Sequence, residues 1–103
     1  MKIHQDGDTL RISEIPELSA ANSQAFRDRV HATLPAQLKM IEIDLATTSF
    51  IDSCGLGALI ALHRAASNSN GSGVPIRLVN PTPPVQQLIE LTQMHRLFEV
   101  AKR

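Results

Sequence analysis

The sequence predicts a single α/β domain over residues 1–103, with a mixed, mostly parallel β-sheet of four to five strands flanked by α-helices. Two patterns predict this class. Strand-like apolar segments alternate with segments of helical periodicity through the later part of the chain, as in a parallel sheet with crossover helices. An Asp-Gly pair near the start predicts an antiparallel hairpin, which makes the sheet mixed. The length of 103 residues fits one domain.

The first third of the chain is predicted to form a hairpin and a helix. Residues 2–14 alternate around a type I′ turn at Asp6-Gly7. One face of the second arm is predicted to hold Leu10, Ile12 and Glu14. Helical spacing follows over residues 18–35, with Ser19 as the N-cap and Pro35 as the end. The predicted buried stripe of this helix is Ala25, Phe26, Val30, Thr33 and Leu34.

The rest of the chain is predicted to add three strands and two helices. The apolar run at residues 40–45 is typical of a strand covered on both faces. A helix over residues 53–70 is predicted to bury Leu56, Leu59, Ile60, Leu62, His63 and Ala66. After the strand "PIRLVN", Thr82 caps a third helix that starts at Pro83 and buries Val85, Leu88, Ile89 and Thr92. The final strand lies in "LFEVA".

Composition excludes several classes of protein. Ten basic residues balance ten acidic residues without a basic stripe, so we expect no direct binding of nucleic acid. The single cysteine rules out an internal disulfide and a paired-thiolate zinc site. The N-terminus lacks the apolar core of a signal peptide, and no apolar stretch is long enough for a membrane span. We therefore expect a soluble, cytoplasmic protein.

The junction "TTSFIDSCGLGALI" carries no enzyme signature. A nucleophile elbow requires Gly-x-Ser-x-Gly, and Ile51 stands at the first glycine position before Ser53. Ile60 replaces the third glycine of a dinucleotide-binding motif. The four histidines are scattered without metal-ligand spacing. We therefore expect no enzymatic activity, no metal and no cofactor, and we interpret Cys54 as a small packed residue and not a reactive thiol.

Two interpretations of Ser53 stay open from the residues alone. Serine is a favoured N-cap, so Ser53 can serve only to start the helix. A hydroxyl at the positive end of a helix is also a position where an added phosphate is tolerated. Asp52 beside it can hold the loop through backbone N–H groups, position the hydroxyl or a kinase-bound magnesium, or simply be solvated.

The stretches "IEIDLATTSFIDSCGLGALIALHRAA" and "GVPIRLVNPTPPVQQLIELTQMHRLFEV" resemble the STAS domain family of sulphate transporter domains and anti-sigma factor antagonists. The resemblance spans roughly residues 38–101, and its most specific part is the segment from Asp52 to Gly57. It implies a mixed sheet flanked by helices without catalytic machinery. In standalone bacterial antagonists the serine after the motif's aspartate, here Ser53, is phosphorylated by the anti-sigma factor and dephosphorylated by a separate PP2C-like phosphatase.

The resemblance thus implies a phosphorylation-switched module that sequesters an anti-sigma factor kinase and so regulates sigma-factor-dependent transcription. Two positions depart from the family pattern, because Cys54 follows the acceptor serine and Ser19 stands where many relatives carry an aspartate. The alternative is a non-switching STAS subunit of a stress-sensing assembly or of a lipid-transport ATPase complex. The implied partner-binding residues are Asp52, Ser53, Cys54, Gly55, Leu56 and Ser19.

Overall fold

The computed structural model describes residues 1–33, 39–68 and 74–101 of the chain. The strands are β1 (Lys2–Asp6), β2 (Thr9–Ser13), β3 (Glu17–Leu18), β4 (Met40–Asp44), β5 (Phe50–Ile51), β6 (Ile76–Val79) and β7 (Glu99–Ala101). The helices are α1 (Ser23–Thr33), α2 (Ser53–Asn68) and α3 (Pro83–Leu91), followed by a 3-10 helix at Met94–Arg96. None of the helices within these ranges is long and apolar enough to cross a membrane.

Five strands form the main sheet in the order β1-β2-β4-β6-β7. The pair β1 and β2 is antiparallel, whereas the other neighbouring pairs are parallel. The predicted mixed, mostly parallel α/β sheet is therefore confirmed. Its inner face carries fully buried aliphatic side chains, which include Leu10, Ile12, Ile41, Ile43 and Leu78.

The hairpin turn differs from the predicted type I′ turn at Asp6-Gly7. Asp6 pairs with Thr9, so the two loop residues are Gly7 and Asp8. Gly7 has a φ of 63°, whereas Asp8 is not among the described residues with positive φ. One positive φ at the first loop position is the pattern of a type II′ turn. Glu14 lies beyond β2, is exposed and has a φ of 55°, so it does not extend the inner face.

A second sheet, which the sequence patterns do not predict, consists of β3 and β5. These strands pair in parallel, with Glu17 opposite Phe50 and Leu18 opposite Ile51. Two-residue strands are too short to show the alternation that identifies a strand in a sequence. Their pairing places the segment before α1 directly beside the segment before α2.

Helix α1 starts later than predicted, and its N-cap is not Ser19. The residue at the N-cap is Asn22, whose carbonyl accepts a hydrogen bond from the Phe26 N–H at 2.9 Å. Ser19 lies upstream of the helix, and its carbonyl accepts from the N–H groups of Asn22 and Ser23 at 3.1 and 2.7 Å. Serine and asparagine are both good caps, so composition alone does not choose between them.

The buried helix faces match most of the predicted stripes. The predicted residues that are buried are Phe26, Val30, Leu59, Leu62, Ala66, Val85 and Ile89. Those that are half-buried are Leu56, Ile60, His63 and Leu88. Ala25 and Thr92 are exposed, which corrects their assignment to the core. Leu34 and Pro35, and the side chain of Thr33, lie outside the described residues.

Strand β4 is buried on both faces, as its apolar run predicts, but one of its covered residues is charged. Glu42 is only 5% exposed on the outer face of the sheet. Arg11 on the neighbouring strand covers it, with its Nη2 atom 3.4 Å from Glu42 Oε2. The Arg11–Glu42 ion pair therefore shields the outer face of the sheet at Glu42.

A relay of two threonine hydroxyls joins three loops. Thr82 occupies the N-cap of α3 before Pro83, as predicted, but its side chain makes no capping hydrogen bond. Its Oγ1 atom donates instead to the carbonyl of Thr48 at 2.7 Å. The Oγ1 atom of Thr48, which is fully buried, donates in turn to the carbonyl of Ile15 at 2.6 Å. The relay holds the segments before β3, β5 and α3 together.

Replacing Thr48 with Val removes the buried hydroxyl and leaves the Ile15 carbonyl without this donor. We expect the free energy of unfolding to fall by about 1–2 kcal/mol, measured by urea denaturation. Ser49→Ala is the matched control, because the Ser49 hydroxyl is exposed and bonds to the Pro16 carbonyl at 3.2 Å. It should change the free energy by less than about 0.5 kcal/mol. Equal losses in the two variants contradict the role assigned to the relay.

Candidate functional site

The site is centred on Asp52, which links the end of β5 to the start of α2. Its carbonyl accepts from the Leu56 N–H at 2.9 Å, which places Asp52 at the N-cap. Its Oδ1 atom accepts from the Gly55 N–H at 2.9 Å, as a capping side chain does. The cap of α2 is therefore Asp52, and Ser53 is the first helical residue, which corrects the interpretation of Ser53 as the cap.

The second carboxylate oxygen of Asp52 binds a different segment of the chain. Its Oδ2 atom accepts from the Ala20 N–H at 3.0 Å, in the turn between β3 and α1. The backbone N–H of Asp52 also donates to the carbonyl of Leu18 at 3.2 Å. One side chain thus fastens the turn before α1 to the tip of α2. Of the three roles open from the sequence, holding the loop is the one that these contacts support.

The hydrogen bonds of Asp52 are also an electrostatic feature of the site. The N–H groups of Gly55 and Ala20 hold the pKa of Asp52 below its ordinary value of 3.8, because they bind the ionised carboxylate. The carboxylate is therefore charged at neutral pH. It already offsets the partial positive charge of the α2 N-terminus.

The turn before α1 is held by its own side chains. Ser19 donates from Oγ to Glu17 Oε2 at 2.7 Å, and its backbone N–H donates to Asn22 Oδ1 at 2.8 Å. Asn22 Nδ2 donates to the Glu17 carbonyl at 2.7 Å. Ser19 is only 5% exposed, so its hydroxyl shapes the turn and has little surface for a partner. The structure thus shows a positioning role for Ser19, and its contact with a partner stays a prediction.

Gly55 allows α2 to approach β3 closely. A Cβ atom at Gly55 would lie 2.6 Å from the carbonyl carbon of Leu18, which is closer than real Cβ contacts. Gly57, two residues further along the helix, has nothing within 4 Å of the same position and is exposed. Close packing therefore requires a glycine at position 55 and not at position 57. Gly55 is buried beneath the predicted contact surface, where it allows the close packing of α2 on β3.

The exposed part of the site is the tip of α2. Ser53 and Cys54 are exposed, and Asp52 and Leu56 are half-buried. The interpretation of Cys54 as a packed residue is wrong, since its side chain lies at the surface. Phe50, which sequence reasoning did not select, is 52% exposed on β5 just before this tip. An aromatic residue directly before the Ile-Asp-Ser segment is the sequence signal by which Phe50 could have been selected as a candidate.

The arrangement displays the Ser53 hydroxyl at the tip of α2. Both oxygens of the Asp52 carboxylate accept backbone hydrogen bonds. In the described ranges, no group of three or more His, Cys, Asp or Glu residues is placed to hold a metal ion. What the geometry offers chemically is an accessible hydroxyl at a helix N-terminus, beside a fixed negative charge.

A family model described as the STAS domain matches residues 1–103. The chain is 25% identical over 96 residues to a STAS-domain containing protein of Pseudomonas aeruginosa (strain UCBPP-PA14), covering 93% of this chain and 91% of that protein. Among solved structures it is similar to a Thermotoga maritima protein described as a candidate anti-sigma factor antagonist. That match has a TM-score of 0.86 and 22% identity, and covers 99% of this chain and 86% of the other.

The chain is also similar to the Bacillus cell fate determinant SpoIIAA, an anti-sigma factor antagonist solved in two states. Its phosphorylated form matches with a TM-score of 0.67 and 17% identity, covering 97% of this chain and 89% of the other. Its unphosphorylated form matches with a TM-score of 0.73 and 18% identity, covering 97% and 86%. At these identities the matches show that the chain has the fold of anti-sigma factor antagonists.

Gly55→Ala should force α2 away from β3, because the new methyl group meets backbone that has no alternative rotamer. We expect the free energy of unfolding to fall by about 2 kcal/mol or more in urea denaturation. Gly57→Ala is the matched control in the same helix, and we expect a gain of about 0.5–1 kcal/mol because alanine favours the helix. A neutral Gly55→Ala variant contradicts the close approach.

Asp52→Asn should change the dependence of stability on pH. Because the folded pKa of Asp52 lies below 3.8, its ionised form stabilises the fold fully above that value, and the contribution is lost as the pH falls through the folded pKa. We expect the wild type to be more stable than Asp52→Asn at neutral pH, and the gap to shrink in acid. Thermal denaturation from neutral pH to below pH 3.8 measures the difference in stability between the two proteins. A difference that stays constant over this range contradicts the stabilising role of the ionised Asp52 carboxylate.

Proposed function

The chain belongs to the STAS domain family, and we propose that it is an anti-sigma factor antagonist whose capture of an anti-sigma factor is switched off by phosphorylation of Ser53. The observation that carries the proposal is the exposure of Ser53 as the first residue of α2, directly after a capping Asp52. A kinase reaches this hydroxyl without unfolding the tip. The protein acts in this account as a binding module and not as an enzyme.

Electrostatics explain how one phosphate turns binding off. A phosphoryl group on Ser53 adds a charge of about −1.5 to −2. The half-charge of the helix N-terminus is already offset by ionised Asp52, so the tip becomes strongly negative. A partner that packs on the tip must then bury an uncompensated dianion, which costs several kcal/mol. Each 1.4 kcal/mol is about tenfold in affinity, so neither protein needs to refold.

The unphosphorylated state of the tip fits a protein partner. Phe50 and Cys54 expose apolar or weakly polar surface on either side of Asp52 and Ser53. Aromatic side chains, phenylalanine included, bury large apolar areas and are enriched at protein interfaces. We place Phe50, Ser53, Cys54 and the exposed part of Leu56 in the contact, supported from below by Gly55 and Ser19. The partners in this account are an anti-sigma factor that acts as a serine kinase and a PP2C-like phosphatase.

One observation favours a second function, that of a non-switching subunit in a stress-sensing assembly or a lipid-transport ATPase complex. By the family resemblance, Ser19 stands where many switching relatives carry an aspartate. Its hydroxyl is buried and donates to Glu17. If phosphotransfer depends on a free acid at that position, this chain binds a partner without being modified. Glu17 supplies a carboxylate at the same turn, which keeps the switch as the first proposal.

Phosphorylation is tested by incubating the chain with its anti-sigma factor, ATP and magnesium, followed by peptide mass spectrometry. We expect a single phosphate on Ser53 that is absent from Ser53→Ala. The matched control is Ser49→Ala, which removes a nearby exposed serine and should be modified like the wild type. A chain that binds the kinase and stays unmodified overturns the switch and supports the subunit.

Calorimetry of binding to the same anti-sigma factor distinguishes the effect of added charge at the α2 tip from the effect of a changed side-chain shape. Ser53→Glu should weaken capture by about tenfold or more, because it puts a charge in the contact. Ser53→Ala and Cys54→Ser should bind within about threefold of the wild type, since neither adds a charge or a larger side chain to the tip. Unchanged capture by Ser53→Glu rules the tip out as the contact surface.

A further inference from the structure

Strand β1 is an edge of the main sheet with an unusual distribution of charge. We propose that β1 is a homodimer interface, in which the β1 strands of two copies pair antiparallel about a two-fold axis through His4. This proposal does not depend on the antagonist function, because the contact residues of the α2 tip lie outside β1.

The edge is available for pairing. β1 stands at the end of the strand order and pairs only with β2 among the described residues. Its residues are exposed except for Ile3, which is half-buried. Proteins commonly block such edges with proline, a bulge or charged side chains. β1 has no proline and no bulge, since its register with β2 is unbroken from Lys2 to Asp6, and its two charged residues have opposite signs.

Backbone geometry decides which residues face the edge. A two-residue hairpin loop closes on a hydrogen-bonded pair, here Asp6 with Thr9. Alternation along the strand then leaves the N–H and C=O groups of Ile3 and Gln5 on the free side. In an antiparallel pair of β1 strands centred on His4, Ile3 of one copy exchanges hydrogen bonds with Gln5 of the other. The free N–H and C=O groups of Ile3 and Gln5 on both strands are then hydrogen-bonded.

The charges fit the same register. About an axis through His4, Lys2 of each copy lies opposite Asp6 of the second copy, and the pair occurs twice. A parallel pairing in register would instead set Lys2 against Lys2 and Asp6 against Asp6, which is unfavourable. Within one chain, Lys2 and Asp6 lie opposite the neutral residues Ser13 and Thr9 of β2, and neither forms an ion pair among the described residues.

Beside β1, a row of alternating charges crosses the sheet on β2, β4, β6 and β7. Arg11, Glu42, Arg77 and Glu99 lie in register on successive strands, with ion pairs of 3.4 Å between Arg11 and Glu42 and 3.1 Å between Arg77 and Glu99. His4 lies opposite Arg11 in this row. A short strand edge buries less than a standard interface, so we expect a weak dimer with a dissociation constant on the order of 100 µM.

Charge reversal tests the register directly by sedimentation velocity. Lys2→Glu and Asp6→Lys should each raise the dimer dissociation constant by about tenfold, because each puts like charges opposite one another twice. The double variant should dimerise like the wild type. A mixture of the two single variants should form a heterodimer, since both pairs are then attractive.

The wild type must associate for this test to support the interface. A wild type that stays monomeric up to about 500 µM overturns the proposal, as does a dimer that both charge reversals leave unchanged. Circular dichroism checks that each variant is folded, which we expect because the β2 residues opposite both positions are neutral.

A cross-link tests the position of the axis. In a Cys54→Ser background, His4→Cys should oxidise to a covalent dimer, because a non-hydrogen-bonded antiparallel pair brings two Cα atoms to about 4.5 Å. Gln5→Cys is the matched control and should not cross-link, since it lies opposite Ile3 of the second copy. Equal cross-linking at both positions contradicts the proposed register.

Discussion

One carboxylate holds the candidate site together. Asp52 caps α2 through Gly55 and at the same time binds the Ala20 N–H in the turn before α1, at 2.9 and 3.0 Å. The parallel pair β3–β5 brings these two segments side by side, and the missing side chain of Gly55 lets the helix approach Leu18. The shape of the α2 tip therefore depends on a charge–backbone interaction between segments that are far apart in sequence.

This arrangement assigns separate tasks to neighbouring residues. Asp52 uses both carboxylate oxygens for structure, while Ser53 is left exposed and takes no part in the cap. A modification of Ser53 in the proposed switch therefore changes the charge of the surface without removing a contact that stabilises the fold. The same reasoning explains why a rigid tip suits such a module, since a partner is excluded by the cost of burying charge and not by a conformational change.

The sequence predicts the parts of this fold that are long enough to carry a period. The main strands, the three helices and the Asp-Ser motif all follow from apolar spacing, turn residues and family resemblance. It does not predict β3 and β5, because two residues show no alternation, and those strands place Ala20 beside Asp52. The sequence predicts Ser53 as the cap of α2, whereas the cap is Asp52, because Asp and Ser are equally good caps. The exposure of Cys54 and the burial of Ser19 depend on tertiary contacts that local patterns do not contain.

The central claim is that a single ionised group binds both Ala20 and Gly55. Nuclear magnetic resonance measures it directly, by following the two backbone amide proton shifts during an acid titration of the folded protein. The account predicts that both amides titrate with one shared midpoint below pH 3.8, and that both transitions disappear in Asp52→Asn. Separate midpoints, or a shift at Gly55 without one at Ala20, would show that Asp52 only caps its own helix.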